Sequence, residues 1–280
     1  MCLIALAWQA HPDYPLIVAA NRDEFHARGA APARFWPEAP WLLAGRDLDA
    51  GGTWMGVTRC GRFAALTNFR EPLAAKGARS RGLLVSEYLL SCVDPLAYAE
   101  KVRAEGAHYS GFNLLVSDGE RLVALSNRGM APTVLPPGVY GLSNHLLDTP
   151  WPKVRRAREA LQVLTGSPSV EGLLHLLADD AAAPDEELPD TGVGPVLERL
   201  LSSPFIRSAA YGTRASTALL AGRTRIRFVE QSFRPEGPGE RSDFEFDRVS
   251  PDRVASDRVS RDQVASGGAD PGQGTPDGSR

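Results

Sequence analysis

Residues 2–25 read CLIALAWQAHPDYPLIVAANRDEF. Two apolar runs, 2–8 and 15–21, flank a turn-rich HPDY, the pattern of a β-hairpin. The second run ends in Asn21, Arg22, Asp23 and Glu24, an amide, a guanidinium and two carboxylates in succession. Side chains alternate along a strand, so Asn21 and Asp23 point one way and Arg22 and Glu24 the other. A hairpin brings the end of the second strand beside the start of the first. The expectation is therefore that Asn21 and Asp23 lie close to Cys2.

Hairpins recur along the chain. GGTWMGVT and RFAALTNF flank RCG at 59–61, GFNLLVSDGERLVALSNRG turns at Asp118-Gly119, and STALLAGRTRIRFVEQSF turns near Gly222. SDFEF alternates and closes a sheet. Close hairpins require antiparallel pairing. Helices fall between the strand pairs: one over 82–92, one from Asp94-Pro95 to about Glu105, one from Thr149-Pro150 to about Leu164 and one over 169–180. Asp-Pro and Thr-Pro supply an N-cap followed by proline at the first helical position. KVRRAR, Lys153 to Arg158, reads as a solvated helix face. DDAAAPDEELPDTGVG reads as a loop. The fold class is α+β, with helices packed on antiparallel sheet.

From Asp247 the chain repeats every five residues, DRVSPDRVASDRVSRDQVAS, with aspartates at 247, 252, 257 and 262. That period fits neither strand nor helix. The stretch is poor in large apolar residues, too poor to offset its ordering entropy. The expected organisation is one domain over 1–247 and a disordered tail over 248–280.

With a net charge of −3, the 280-residue chain carries no electrostatic footprint for nucleic acid. Its three cysteines and five histidines show no metal-ligand spacing and no disulfide framework. No run approaches the roughly 18 apolar residues of a membrane span. MCLIALAW lacks a basic leader and a cleavage site, so the expected compartment is the cytoplasm, with reduced thiols.

Cys2 carries the chemistry. Methionine is removed from a chain whose second residue is small, which would leave Cys2 with a thiol and a free α-amine on one carbon. Such an amine titrates near 7.7–8.0 and serves as base for its own side chain. Asp23 is suited to bind the ammonium form, and Asn21 to fix the amine or a substrate carbonyl. Asn68, Asn113 and Asn144 end or interrupt apolar runs; each is a candidate oxyanion donor, although taken singly each reads better as turn support. Arg214, in YGTRAST, is a candidate to clamp an anionic group or to support the oxyanion. Arg81, in SRG, and the GGTW stretch at 51–54 are candidate pocket walls.

MCLI, AANRDEF, GGTWMGV, AALTNF, SRG, GFNLL, YGLSN, DTPWPK and YGTR, in that order, resemble the NRDE family, that of transport and Golgi organisation protein 2. The family is in turn remotely similar to N-terminal-nucleophile hydrolases of the cholylglycine and penicillin-amidase type. The resemblance implies a four-layer αββα sandwich, a nucleophile at Cys2, and catalytic roles for Asn21, Asp23, Asn144 and Arg214. Arg22, Asn68, Arg81 and Asn113 are expected to bind ligand. The arginine that precedes the asparagine in those enzymes falls on Ala20. The implied activity is amidohydrolase or acyltransferase chemistry on a small-molecule or acyl substrate, with no cofactor. The alternative is a carrier in lipid metabolism or haem trafficking, with Cys2 as a packed thiol or an axial haem ligand.

Overall fold

The computed structural model describes residues 2–256; the expected removal of Met1 and the repeats beyond residue 256 lie outside the described residues. Strands β1 (Cys2–Trp8) and β2 (Leu16–Phe25) form the expected hairpin at the centre of a six-stranded sheet. Its order is β10 (Gly138–Leu142), β1, β2, β11 (Tyr211–Ala221), β12 (Arg225–Arg234) and β13 (Gly237–Asp247). A seven-stranded sheet lies opposite: β3 (Ala30–Trp36), β4 (Ala39–Asp47), β5 (Met55–Thr58), β6 (Phe63–Asn68), β7 (Phe112–Ser117), β8 (Leu122–Ser126) and β9 (Met130–Val134). All pairings are antiparallel.

Three apolar layers hold the sandwich together. Between the sheets, Ile4, Leu6, Val18 and Phe228 meet Val57, Phe63 and Leu115. Helices α3 (Pro152–Leu164) and α4 (Val170–Leu177) cover the first sheet, where Val154, Leu161 and Leu173 pack on Leu3, Ala5 and Ile17. Helices α1 (Gly82–Leu89) and α2 (Pro95–Glu105) cover the second, through Val85, Leu89 and Val102. The architecture is αββα. All seven residues of β1 are buried because both faces of the sheet are covered. Each large apolar side chain so buried contributes about 1.5–3 kcal/mol.

Asp94 caps α2 as expected, accepting from the Leu96 and Ala97 amides. The third helix begins at Pro152, not at Pro150. Asp148 adopts φ 57° and exchanges two hydrogen bonds with Gly141, and Trp151, preceding a proline, is held extended. Residues 248–256 also depart from expectation. Arg248 Nε donates to Cys60 O, 251–256 form a helical turn, and Val254 is buried against the second sheet's helical layer. The packed chain therefore extends past Asp247. Among the described residues no helix is long and apolar enough to cross a membrane.

Candidate functional site

Register decides which side chains meet. Directly opposed residues of an antiparallel pair share a face. Cys2 opposes Arg22, and Leu3 opposes Asn21. Ala20 and Ile4 face the second sheet, whereas Leu3 and Ala19 face the helices. Cys2, Arg22 and Glu24 thus belong to the inter-sheet face, and Asn21 and Asp23 to the helical face. The residue beside Cys2 on its own face is Arg22; Asp23 still lies near the thiol, lining the same cleft and acting on Cys2 through its backbone amide and its charge.

At the Cys2 end the two sheets part to leave a cleft of about 580 Å³, with Cys2, Arg22, Asp23, Glu24, Asn68, Arg81 and Arg214 on its walls. The expected wall segments are there too. Thr53 and Trp54 meet Ser80 to Gly82, and a Cβ on Gly52 would lie 2.5 Å from the Gly82 carbonyl carbon, so only glycine permits this approach. Arg81 Nη1 donates to Gly111 O at 2.9 Å and feels the Cys2 thiol electrostatically. Arg22 Nη2 lies 3.6 Å from Asp47 and 3.9 Å from Glu24, while its buried Nη1 has no hydrogen-bond partner among the described residues. Burial works to raise the Asp47 carboxyl, but Arg28, the Ala50 amide and Arg22 hold it below its ordinary value. Glu230 adds a buried carboxyl to the wall, accepting from the Ala33 amide at 2.7 Å; burial pushes it up.

Arg214 occupies the bulge where the β2–β11 register shifts. Its Nη1 donates to the carbonyls of Phe25, Arg28 and His26 at 2.9, 3.1 and 3.2 Å. It lines the cleft while pinning the chain that leaves β2.

Cys2 is 7% exposed. Burial pushes its thiol up, and the Asp23 charge adds to this; the Arg22 guanidinium and the Asp23 backbone amide favour the thiolate. The resting form is the thiol, so attack requires a base. Ser143 Oγ lies 2.9 Å from Cys2 O and 3.1 Å from Asn144 Oδ1, and Asn144 Nδ2 donates to Asn68 O at 2.9 Å. Asn144 is fully buried in this strut and Asn68 stands on the cleft wall. Of the oxyanion candidates, Asn68 is the one facing the cleft.

Asn113 does not reach the cleft. Its Nδ2 donates to Thr67 Oγ1 at 3.0 Å and His145 O at 2.9 Å, tying β7 to the segment after β10. Asn21 is likewise engaged elsewhere: Nδ2 donates to Leu177 O and Pro204 O, both at 2.9 Å, and Oδ1 accepts from Ser216 Oγ at 2.6 Å. It anchors the helical layer to β2. Neither Asn113 nor Asn21 lines the cleft, and the Nδ2 of each is engaged within the fold.

Asp23 accepts from Thr213 Oγ1 at 2.8 Å. Burial pushes its carboxyl up and the nearby Lys153 ammonium draws it down. Lys153 corrects the reading of KVRRAR as a solvated face: Arg155 and Arg158 are exposed, but Lys153 is 1% exposed. The sequence signal was DTPWPK itself, which fixes the lysine in the first helical turn. Among the described residues no cluster of three His, Cys, Asp or Glu side chains is placed to hold a metal ion.

The profile of the family "Transport and Golgi organisation 2" matches residues 1–235. The chain is 39% identical over 267 residues to a Transport and Golgi organization protein 2 homolog from Bos taurus, covering 85% of this chain and 95% of that one. It is 30% identical to Transport and Golgi organization protein 2 from Drosophila melanogaster, covering 88% and 98%. Among solved structures, a mutant conjugated bile acid hydrolase from Clostridium perfringens superposes with a TM-score of 0.52 at 8% identity, over 89% of this chain and 98% of that one. The fold is that of the N-terminal-nucleophile hydrolases.

Proposed function

The chain belongs to the Transport and Golgi organisation 2 family, and from that premise we propose that it is an N-terminal-nucleophile amidohydrolase or acyltransferase acting on an amide or thioester through Cys2. One observation carries the reading: the thiol stands at the first position of a fully buried strand and opens onto a polar cleft. Chain ends ordinarily fray, but Cys2 is paired with Arg22 of β2 and its carbonyl accepts from Ser143 Oγ.

With Met1 removed, the Cys2 amine takes the thiol proton, directly or through one water. The thiolate attacks the carbonyl carbon, and the negative charge moves to the carbonyl oxygen. The Asn68 amide stabilises that oxygen, with the Arg81 guanidinium across the cleft. Asp23 holds the ammonium until it protonates the departing amine or thiol. Water or an acceptor amine then releases the acyl group from Cys2. Arg22 and Arg214 orient the substrate. Free thiols at Cys2, Cys60 and Cys92 suit a reducing compartment, and we assign the protein to the cytoplasm.

The test is a β-lactam or activated acyl probe read by intact and peptide mass. The expected result is a chain lacking methionine with one adduct, on Cys2, absent in Cys2→Ala. Retained Met1, or equal labelling of the exposed Cys92, would overturn the proposal.

The departure at Ala20, buried between the sheets, favours a second reading. The cleft would then serve as a carrier for an acyl thioester, lipid or haem without turnover. Stoichiometric ligand binding with no Cys2 adduct would support it.

A further inference from the structure

We propose that Lys153 is a positioning residue of the Cys2 site: its ammonium, walled in behind β1 and β2, keeps Asp23 ionised and keeps the amine of a mature Cys2 neutral, so that this amine can accept the thiol proton. The inference rests on the proposed N-terminal-nucleophile reading and assigns that site the cation missing at Ala20.

The geometry begins with Gly141. This β10 residue lets the first turn of α3 press onto the sheet; a Cβ there would lie 2.6 Å from Val154 Cγ1 and 3.2 Å from Val154 O. Val154 packs among Leu3, Ala5 and Ala19, and Lys153, its neighbour, is enclosed with it. The Lys153 Nζ has no hydrogen-bond partner among the described residues. A buried ammonium without partners is costly, and a solvated alternative is open to a lysine's flexible stem. The charge is therefore aimed at something.

The charged groups whose fields reach it are Asp23 of β2, Arg70 of the segment after β6, Cys2 of β1 and Glu198 of α5 (Pro195–Leu200). Tyr211 of β11 and Arg22 of β2 also interact electrostatically with Asp23. Glu198 is committed elsewhere: it pairs with Arg70, with both side chains 4% exposed, and accepts the Thr191 amide at 2.8 Å. Asp23 is then the carboxylate that Lys153 serves. A cation beside an amine makes protonation of that amine less favourable, and beside a carboxylate it favours ionisation. The two effects act on different states: the cation's direct field disfavours a proton on the resting amine, and the ionised Asp23 that it sustains stabilises the ammonium once the thiol proton has moved. The thiol proton simply moves from sulfur to nitrogen, so no outside reactant is required.

Burial draws the Lys153 ammonium down to about 8, with the Asp23 charge opposing. It is charged at neutral pH and loses its charge just above.

The test follows iodoacetamide alkylation of Cys2 from pH 5 to 10 by peptide mass, in wild type, Lys153→Met and Lys153→Arg. The Met variant keeps the stem's volume. Its alkylation midpoint should rise by about one pH unit, a roughly tenfold slowing at pH 7. Lys153→Arg should restore the wild-type midpoint and the wild-type rate at pH 7. A merely structural lysine would lower thermal stability and leave the midpoint in place; that outcome overturns the proposal. If Lys153→Met fails to fold, Lys153→Gln takes its place, and an unshifted midpoint in that variant overturns the proposal. Failure of the wider reading looks different, since it appears as absent acyl labelling or retained Met1, whatever the midpoint does.

Discussion

At the residue scale the site is a contest between burial and charge. Lys153 titrates near 8 in the fold, below the ordinary lysine value of 10.5. Between those values the unfolded chain binds more protons than the native one, so the lysine's contribution makes stability rise with pH across that window. Asp23 has the opposite sign. Its carboxyl is raised in the fold, so its contribution falls as pH climbs from the ordinary carboxylate range through the folded value. Urea denaturation from pH 8 to 9.5 should therefore show wild type gaining up to about 2 kcal/mol that Lys153→Met does not gain. Parallel curves would contradict the burial of a charged lysine. Cys2→Ser, nearly isosteric, should fold normally and lose acyl labelling at least about 100-fold, because a hydroxyl has no accessible anion beside a weak base. Much of this was legible: Cys2, Asp23 and the NRDE run were marked by residue type and strand position. The face was not. Alternation separates Arg22 from Asp23, but only the Cys2–Arg22 register says which of them shares the thiol's side. Lys153 was hidden because a lysine between apolar residues on a helix is ordinarily solvated.

At the element scale, the strands buried on both faces announce themselves as unbroken apolar runs, and the edge strands do not. β9, MAPTV, carries a proline and is largely exposed; β10, GVYGL, carries two glycines; β3 carries Pro32 and alternates imperfectly. Their pairing is imposed by neighbours rather than by propensity. The segment after β10 matters most, since Ser143 to His145 tie Cys2 and Asn68 to Asn113 and Thr67. Asn113→Ala removes this strut and leaves Thr67 Oγ1 and two carbonyls with fewer donors. It should cost about 2–4 kcal/mol in chemical denaturation and slow Cys2 labelling, although Asn113 touches no part of the cleft. Gly141→Ala forces α3 away from β10 and should cost about 1–3 kcal/mol. It should also shift the Cys2 alkylation midpoint in the same direction as Lys153→Met. A Gly141→Ala protein with an unchanged midpoint would separate helix placement from the lysine's charge.

At the scale of the whole molecule, the sandwich is closed at one end and open at the other, and the closed end depends on residues whose composition reads as a tail. Arg248 N donates to Thr224 O in the β11–β12 turn, and Val249 N donates to Arg59 O in the β5–β6 turn. One short stretch thus joins hairpin tips of both sheets at the Leu16 end of β2, opposite the cleft. Arg248 also lies across Gly61 and Gly119, whose φ angles of 87° and 92° suit glycine; a Cβ would meet its guanidinium at 2.7 and 2.5 Å. The repeat concealed this, because a five-residue period predicts no regular face, and a single buried valine per turn is invisible in composition. Truncation after Asp247 removes both backbone staples and the burial of Val254. It should cost about 2–4 kcal/mol and lower Tm by roughly 5–10 °C in calorimetry. Val254→Asp in the full chain should reproduce most of that loss, and Asp252→Ala, on the exposed side of the same turn, should not. If the clasp also fixes the spacing of the sheets, the truncated protein will label Cys2 more slowly at temperatures well below its own Tm. Equal Tm values for truncated and full-length chains would show that the sheets hold their spacing without it.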